Sequence, residues 1–291
     1  MQCFLRRSAE SQELETRRRQ EQERRSGVME HGNVSYPDRG SPQRLKPLVS
    51  EVFWENKKRY GARRIVKALA SKGVTCSVRR IARLMAEMEL VAIQPKSFRP
   101  RTTDSRHLLG TSPNLLLDAE EPSTINRLWV GDITYIPLEN ARFAYAALVM
   151  DRFSRRIIGW DIQLHMRESL VCCALEYAVR TREYAIRTRE RKTDLITHTD
   201  RGGQYAGKQY RSILAGIQAN QSMSRAANCY DNAFMESCFG TLKTELEMHG
   251  YRNVEIARKE IGSYIRYYNT RRLHSSLSYS TPIEFEQRLS S

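Results

Sequence analysis

The sequence predicts an α/β protein, a mixed-sheet core preceded by a small all-α domain. Three observations predict it. Apolar residues recur at helical spacing between residues 45 and 90, three strand-like segments follow one another from Leu128, and helix and strand patterns alternate after them.

The all-α part spans 45–90. Leu48, Val49, Val52, Phe53 and Trp54 define a first helix. Gly61 opens a second, with Ile65, Val66, Leu69 and Ala70 on one face, and Gly73 stops it. Ser77 is an N-cap for a third helix, which carries Val78, Ile81, Leu84, Met85 and Met88. Two short helices joined by a glycine-containing turn are the pattern of a helix-turn-helix. Arg79, Arg80 and Arg83 then face outward, toward phosphates or a major groove. A small bundle with a solvated basic face has the same pattern, and the periodicity alone does not separate the two.

Upstream, residues 1–44 are polar and charge-rich. Gly27, Gly32, Pro37, Gly40 and Pro42 break regular structure there, so the segment reads as a basic, poorly ordered arm. Residues 91–125 read as a basic linker with Lys96, Arg99, Arg101 and Arg106, and Leu115, Leu116 and Leu117 are able to dock on a neighbouring domain.

The core, 126–291, begins with strands at 128–136, 143–151 and 155–162, joined by short turns into an antiparallel meander. A helix at 168–181, a strand at 195–199, a helix at 208–214 and a strand at 221–223 follow. Two helices, 232–248 and 254–268, close the chain.

Charge narrows the function. The chain has 291 residues, with 48 Lys and Arg against 33 Asp and Glu, a formal net charge of +15. Such an excess suits a polyanionic partner, because basic side chains displace counterions from phosphates. No apolar run approaches the roughly 18 residues of a membrane span, and Arg6 and Arg7 interrupt the N-terminus where a signal peptide would carry its apolar stretch. The six cysteines (Cys3, Cys76, Cys172, Cys173, Cys229 and Cys238) form no C-x-x-C pair and no zinc spacing with histidine. They read as thiols in a reducing cytoplasm.

Three acidic residues stand out as candidate catalysts and metal ligands. Asp132 lies inside an apolar strand, in W-V-G-D-I-T-Y-I, where a charge is costly unless paired or bound to metal. Asp200 ends a strand, in I-T-H-T-D-R-G-G-Q-Y, before a glycine-rich turn. Glu236 lies in a helix, in D-N-A-F-M-E-S-C-F-G-T-L-K, which Asp231 or Asn232 can cap. Hard oxygen ligands suit magnesium, and two such ions activate an attacking oxygen and stabilise a leaving one. Each residue alone also has an ordinary structural explanation: a satisfied strand residue, a turn residue and a surface helix residue.

The surrounding motifs resemble the DDE transposases of bacterial insertion sequences, in particular the catalytic OrfB subunit of the insertion-sequence-three family, a relative of retroviral integrases. The stretches that carry the resemblance are Y-G-A-R-R-I at 60–65, W-V-G-D-I-T-Y-I at 129–136, M-D-R-F-S-R-R-I-I-G-W at 150–160, H-T-D-R-G-G-Q-Y at 198–205, S-M-S-R-A-A-N-C-Y-D-N-A-F-M-E-S-C-F-G-T-L-K-T-E-L at 222–246 and Y-N-T-R-R-L-H-S-S-L-S-Y at 268–279. They occur in the family's order. The 35 residues between Asp200 and Glu236 match the family's fixed spacing, and Lys243 stands seven positions after the glutamate, where family members carry a basic residue.

The resemblance implies an RNase H-like core whose Asp132, Asp200 and Glu236 are both catalytic and metal-binding. It implies two Mg2+ ions, with Mn2+ as a substitute, and phosphodiester hydrolysis followed by strand transfer. Implied partners are DNA, as element ends and target, an OrfA-type protein as partner or frameshift fusion, and further copies of the chain on DNA. Implied DNA contacts are Lys243, Arg201 and Asn228. His198 and Arg201 are placed to orient Asp200 or touch phosphate, and Tyr230 to contact the strand. Arg271, Arg272 and His274 either bind DNA or fix the last helix. Asp151 matches a non-catalytic strand-end aspartate. The family often has serines at the positions of Thr199 and Gly203, and neither change removes a ligand. The expected setting is the bacterial cytoplasm. Two other readings share most of these features: a non-catalytic DNA-binding regulator, and an RNase H-like nuclease that cuts without joining.

Overall fold

The computed structural model describes residues 41–94, 110–117, 120–183, 195–225 and 233–289. The expected arm therefore lies almost wholly outside the described residues, as do Lys96, Arg99, Arg101 and Arg106 of the linker, Asn228, Tyr230 and the two candidate caps Asp231 and Asn232.

The helical domain comprises α1 (Pro42–Glu55), α2 (Ala62–Ser71) and α3 (Val78–Glu87). The first helix starts at Pro42, three residues before the expected start of the domain at 45; Pro42, read above as a breaker, instead opens the helix, because proline there is preset for the helical φ and has no N–H to lose. Gly61 is the N-cap of α2, and the Ser77 hydroxyl accepts the Arg80 backbone N–H at 3.2 Å to cap α3. Val49, Val52, Phe53, Tyr60, Ile65, Leu69, Ile81 and Leu84 form a closed core. Each such side chain stabilises by about 1.5–3 kcal/mol when fully buried.

In the core domain the strands are β1 (Leu128–Leu138), β2 (Arg142–Asp151), β3 (Ile157–Gln163), β4 (Ile196–Thr199) and β5 (Asn220–Met223). They make one sheet in the order β3-β2-β1-β4-β5. The meander β1–β2–β3 is antiparallel, whereas β1–β4 and β4–β5 are parallel. The crossovers run through α4 (Glu168–Thr181) and α5 (Lys208–Gly216), and α6 (Ala233–Glu245) and α7 (Val254–Thr270) come after the sheet.

Alternation along the strands divides the core in two. Leu128, Val130, Ile136 and Leu138 of β1 pack toward Met235, Phe239 and Leu242 of α6 and Ile261 and Tyr264 of α7. Trp129 and Ile133 pack toward Leu170 and Leu175 of α4 and Tyr210 of α5. The α4 backbone lies so close to β3 that a Cβ on Gly159 would strike the Ala174 carbonyl and stand 2.7 Å from the Ala178 nitrogen, so only glycine fits.

The C-terminus differs from its expected form. A third helix, α8 (Pro282–Leu289), and a 3-10 turn at Ser275–Leu277 follow α7. This helix is too short for an apolar period to mark it. What holds it is polar: Glu286 accepts hydrogen bonds from Ser154 and Arg156, both at 2.6 Å, and from Arg182. Burial works to raise the Glu286 carboxyl, yet Arg182, Ser154 and Arg156 outweigh it and hold the group below the ordinary glutamate range. Leu116 packs against the α6–α7 side of the core, so the expected docking of 115–117 is onto the sheet domain.

Candidate active site

Asp132 and Asp200 meet through strand register. In the parallel β1–β4 pair Val130 lies opposite His198. Asp132 and Asp200 are each two residues further on, so the two carboxylates leave neighbouring strands at one level and on the face covered by α6 and α7, about 4.8 Å apart in backbone terms. Asp200 is held at the strand end by its own turn: its Oδ1 accepts the Gly202 N–H at 3.0 Å. A Cβ at Gly202 would stand 2.8 Å from the Gln204 side-chain oxygen and 3.0 Å from that same Oδ1, so the glycine keeps the turn tight around the carboxylate.

Glu236 comes from the first turn of α6, whose Met235, Cys238, Phe239 and Leu242 are packed into the core. The glutamate itself is exposed and makes no hydrogen bond or ion pair with the described residues. Lys243 is seven residues along the same helix, roughly 10 Å by helical rise and nearly in line with Glu236. It is half-buried, so it is not a solvated surface lysine. Burial lowers its ammonium pKa, and the Asp132 charge opposes that shift.

The electrostatics tie these groups together. The only hydrogen bond Asp132 makes with the described residues is from the Ile133 N–H to Oδ1, at 2.8 Å. Burial, and then the neighbouring Asp200 carboxylate, raise the Asp132 carboxyl well above the ordinary carboxylate range. Glu236 adds to the rise, while Ile133 N–H and Lys243 oppose it. Asp132 thus feels both other carboxylates. The three do not close on a common point: among the described residues no group of three or more Asp, Glu, His or Cys side chains could hold a metal ion. The donor set nonetheless suits a hard divalent cation, because it is all oxygen and carries like charges that repel until a cation neutralises them.

Tyr205 was not singled out by the sequence beyond its place in the H-T-D-R-G-G-Q-Y motif. It is buried beside both aspartates; burial raises its phenol well above the usual tyrosine range, and Asp132 and Asp200 push further in the same direction. His198 is expected to orient Asp200 or touch phosphate; the structure shows a further role for it, between two strands. It is fully buried, and its ring nitrogens bond Ser222 and Ser224 at 2.8 and 3.1 Å, tying β4 to β5 and its end. Arg201 bonds the Ser224 carbonyl at 2.6 Å. Asp151 is fully buried and accepts from Asn126, Phe153 and Ser154, which makes it a structural residue, as its motif position suggests. Arg79 and Arg83 are exposed on α3 and Arg80 is half-buried.

The C-terminal arginine pair is split. Arg271 is exposed, whereas Arg272 is buried and bonds Glu245 at 2.9 and 3.0 Å through Nε. Glu245, the last residue of α6, also accepts from Tyr264 at 3.0 Å and Arg64 at 3.3 Å, and its carbonyl accepts from Arg59 at 2.9 Å. The Tyr60 hydroxyl donates to the Arg271 carbonyl and accepts from the Leu273 N–H, both at 3.0 Å. The Y-G-A-R-R-I motif therefore serves to lock the helical domain onto α6 and the chain beyond α7. Burial disfavours the Arg272 cation, but Glu245 outweighs it and holds the guanidinium above its ordinary range. His274 is buried beside Arg272; burial and that cation depress its imidazole from 6.5 to about 3.

Comparison with known proteins is consistent with this architecture. Two family models, each described as integrase core domain, match residues 122–229 and 217–282, and a model described as HTH-like domain matches 41–98. The chain is 38% identical over 247 residues to the transposase for insertion sequence element IS904 of Lactococcus lactis, covering 84% of this chain and 93% of that protein. It is 36% identical to a 31 kDa protein of insertion element IS600 from Shigella sonnei, covering 85% and 89% of the two chains. It is 35% identical to the transposase InsF for insertion sequence IS3A of Escherichia coli, covering 84% and 83%. Among the described residues no helix is long and apolar enough to cross a membrane.

Proposed function

The chain belongs to the insertion-sequence transposases that carry an integrase core domain and an HTH-like domain, and from that premise we propose that Asp132, Asp200 and Glu236 are its catalytic carboxylates and hold two divalent cations, Mg2+ or in its place Mn2+. The single observation that supports the assignment is the register of β1 and β4, which sets two carboxylates on neighbouring strands at one level, on the face covered by the helix that bears the third.

Held by these residues, the cations would supply the charge that activates an attacking oxygen and stabilises the leaving one. The protein's own contribution is placement. The sheet fixes Asp132 and Asp200, and α6 delivers Glu236 from its first turn. To share those cations the exposed Glu236 would have to approach the aspartates, and the cations' charge would offset the repulsion that raises Asp132. Lys243, on the same helix, is assigned to a phosphate of the bound strand, and Arg201 and Asn228, by their motif positions alone, to others. The helix-turn-helix contributes Arg79, Arg80 and Arg83 to the duplex backbone.

The reaction has two in-line displacements at phosphorus. In the first, a water oxygen bonds to the phosphorus at the element's end and the bond to the 3′ oxygen breaks. That oxygen leaves as a 3′-hydroxyl, having taken up a proton, while the water's proton passes to solvent. In the second, the 3′-hydroxyl oxygen bonds to a phosphorus of the receiving strand as that phosphorus loses its bond to the strand's own 3′ oxygen, which leaves as a new 3′-hydroxyl while the attacking hydroxyl's proton passes to solvent. No covalent protein–DNA bond is needed. The complex that does this is an assembly of several copies on paired ends, with an OrfA-type protein as partner or fused segment.

The test is cleavage and joining of labelled element ends by the purified protein, with its partner and Mg2+. Asp200→Asn is expected to abolish both products while leaving duplex binding intact. Retained cutting by that variant would overturn the site assignment.

A further inference from the structure

Between the helical domain and α7 lies a groove of about 610 Å3. Its lining includes four cations, Lys57, Arg59, Arg266 and Arg271, together with Tyr267, and its one acidic residue is Glu260. Such an imbalance is costly in the absence of an anion, because like charges on facing walls repel. Lys57, Arg266 and Arg271 are exposed and form no ion pair with the described residues. Arg59 is fixed: its guanidinium lies 4.7 and 5.1 Å from the Tyr267 and Tyr264 rings, and its Nε bonds the Glu245 carbonyl.

Two further features suggest that these cations are kept for an external anion. Lys57 and Lys58 end α1 with φ of 51° and 61°, where a helix C-terminus favours glycine. Lysine there is strained relative to glycine, and neither residue forms an ion pair with the described residues. The adjacent Arg271 and Arg272 are also treated differently, one turned to the groove and the other neutralised inside by Glu245.

We propose that this groove grips the phosphodiester backbone of duplex DNA, so that the substrate is held at the junction of the two domains as well as at the helix-turn-helix and the carboxylates; the proposal rests on the transposase reading for the identity of the polyanion. The groove adjoins the C-terminal end of α6, with Leu246 in its wall. Glu236 is nine residues earlier on that helix, roughly 14 Å by helical rise. Because Arg59 also bonds the end of α6, a filled groove steadies the helix that carries Glu236.

The experiment is fluorescence anisotropy of the full chain with a labelled random-sequence duplex across a salt series, since phosphate contacts carry no sequence information. The Lys57→Ser, Arg266→Ala, Arg271→Ala triple variant is expected to bind at least about tenfold more weakly at low salt. Its slope of log affinity against log salt should be shallower by about 2 to 3, at roughly 0.9 per lost phosphate contact. The Arg266→Lys, Arg271→Lys double variant keeps the charge and is expected to keep the wild-type slope, which separates lost contacts from lost folding. An unchanged slope in a folded triple variant would overturn the proposal, as would a double variant whose slope falls as far as the triple variant's. Asp200→Asn is expected to bind with the full slope, so a failure of the carboxylate assignment shows in cutting and a failure of the groove shows in binding.

Discussion

One helix, α6, carries two glutamates with opposite surroundings. Glu236 at its start is exposed, lacks hydrogen-bond or ion-pair partners among the described residues, and is close enough to Asp132 for its charge to be felt there. Glu245 at its end is buried and receives Arg64, Arg272 and Tyr264. The contrast separates the roles of charge. A buried carboxylate with its oxygens filled by protein donors has no capacity left for a ligand and works as a clamp. A carboxylate left facing other carboxylates is unfavourable by itself and becomes favourable only when a cation arrives. Sequence spacing pointed to Glu236 over Glu245, and the surroundings of each supply the physical reason.

The largest expected effect lies at the first of these. Glu236→Gln should reduce joined product by about a thousandfold or more, the scale of losing one charge-stabilising group in an active site, with urea stability within about 0.5 kcal/mol of wild type because little is packed around it. A large drop in stability would mean that Glu236 is structural and the contrast false.

Next is the clamp. Glu245→Gln leaves Arg272 buried without its counter-charge and should cost about 3–5 kcal/mol in urea unfolding. The Glu245→Leu, Arg272→Met pair removes both charges and should recover most of that loss. A double variant no more stable than Glu245→Gln would show that packing, and not the ion cluster, holds the end of α6.

The smallest effect concerns pH. His274 is buried against Arg272, with Arg64 and Arg155 adding positive charge nearby, and its imidazole is depressed from 6.5 to about 3. A depressed folded value means that the neutral ring contributes stability above pH 6.5, and that this contribution is lost as pH falls from there toward 3. Between pH 7 and pH 5 the loss is about 2 kcal/mol. His274→Gln should flatten urea stability over that window, whereas Glu236→Gln should keep the wild-type slope; equal slopes in His274→Gln and wild type would contradict the burial argument.

How much of this was legible beforehand depends on range. The sheet was legible because β1 and β2 are apolar almost throughout and the helix at 168–181 has a strong period; its bounds agree with the structure. The third C-terminal helix was not, because eight residues held by Glu286 leave no apolar stripe to read. In the site, spacing and motif are what proposed the three carboxylates, and local pattern identified Ser77 as a cap, which the structure bears out. The clamp was beyond reach, since Arg64 and Glu245 are 181 residues apart and adjacent Arg271 and Arg272 look alike until one is seen to be buried. For His198 the motif showed its nearness to Asp200 but not its two serine partners, which come from β5 and the residues after it, more than twenty positions away.

Everything rests on whether the carboxylates of two neighbouring strands and of one helix share divalent cations. Electron paramagnetic resonance of Mn2+ added to the DNA-bound protein measures that directly, by the loss of the free-ion signal. Wild-type protein should take up about two ions per active site, and Asp132→Asn, Asp200→Asn and Glu236→Gln should each take up fewer, while Glu245→Gln that remains folded should match wild type. Full Mn2+ uptake by Asp200→Asn, or equal losses in the Glu236 and Glu245 variants, would contradict the account.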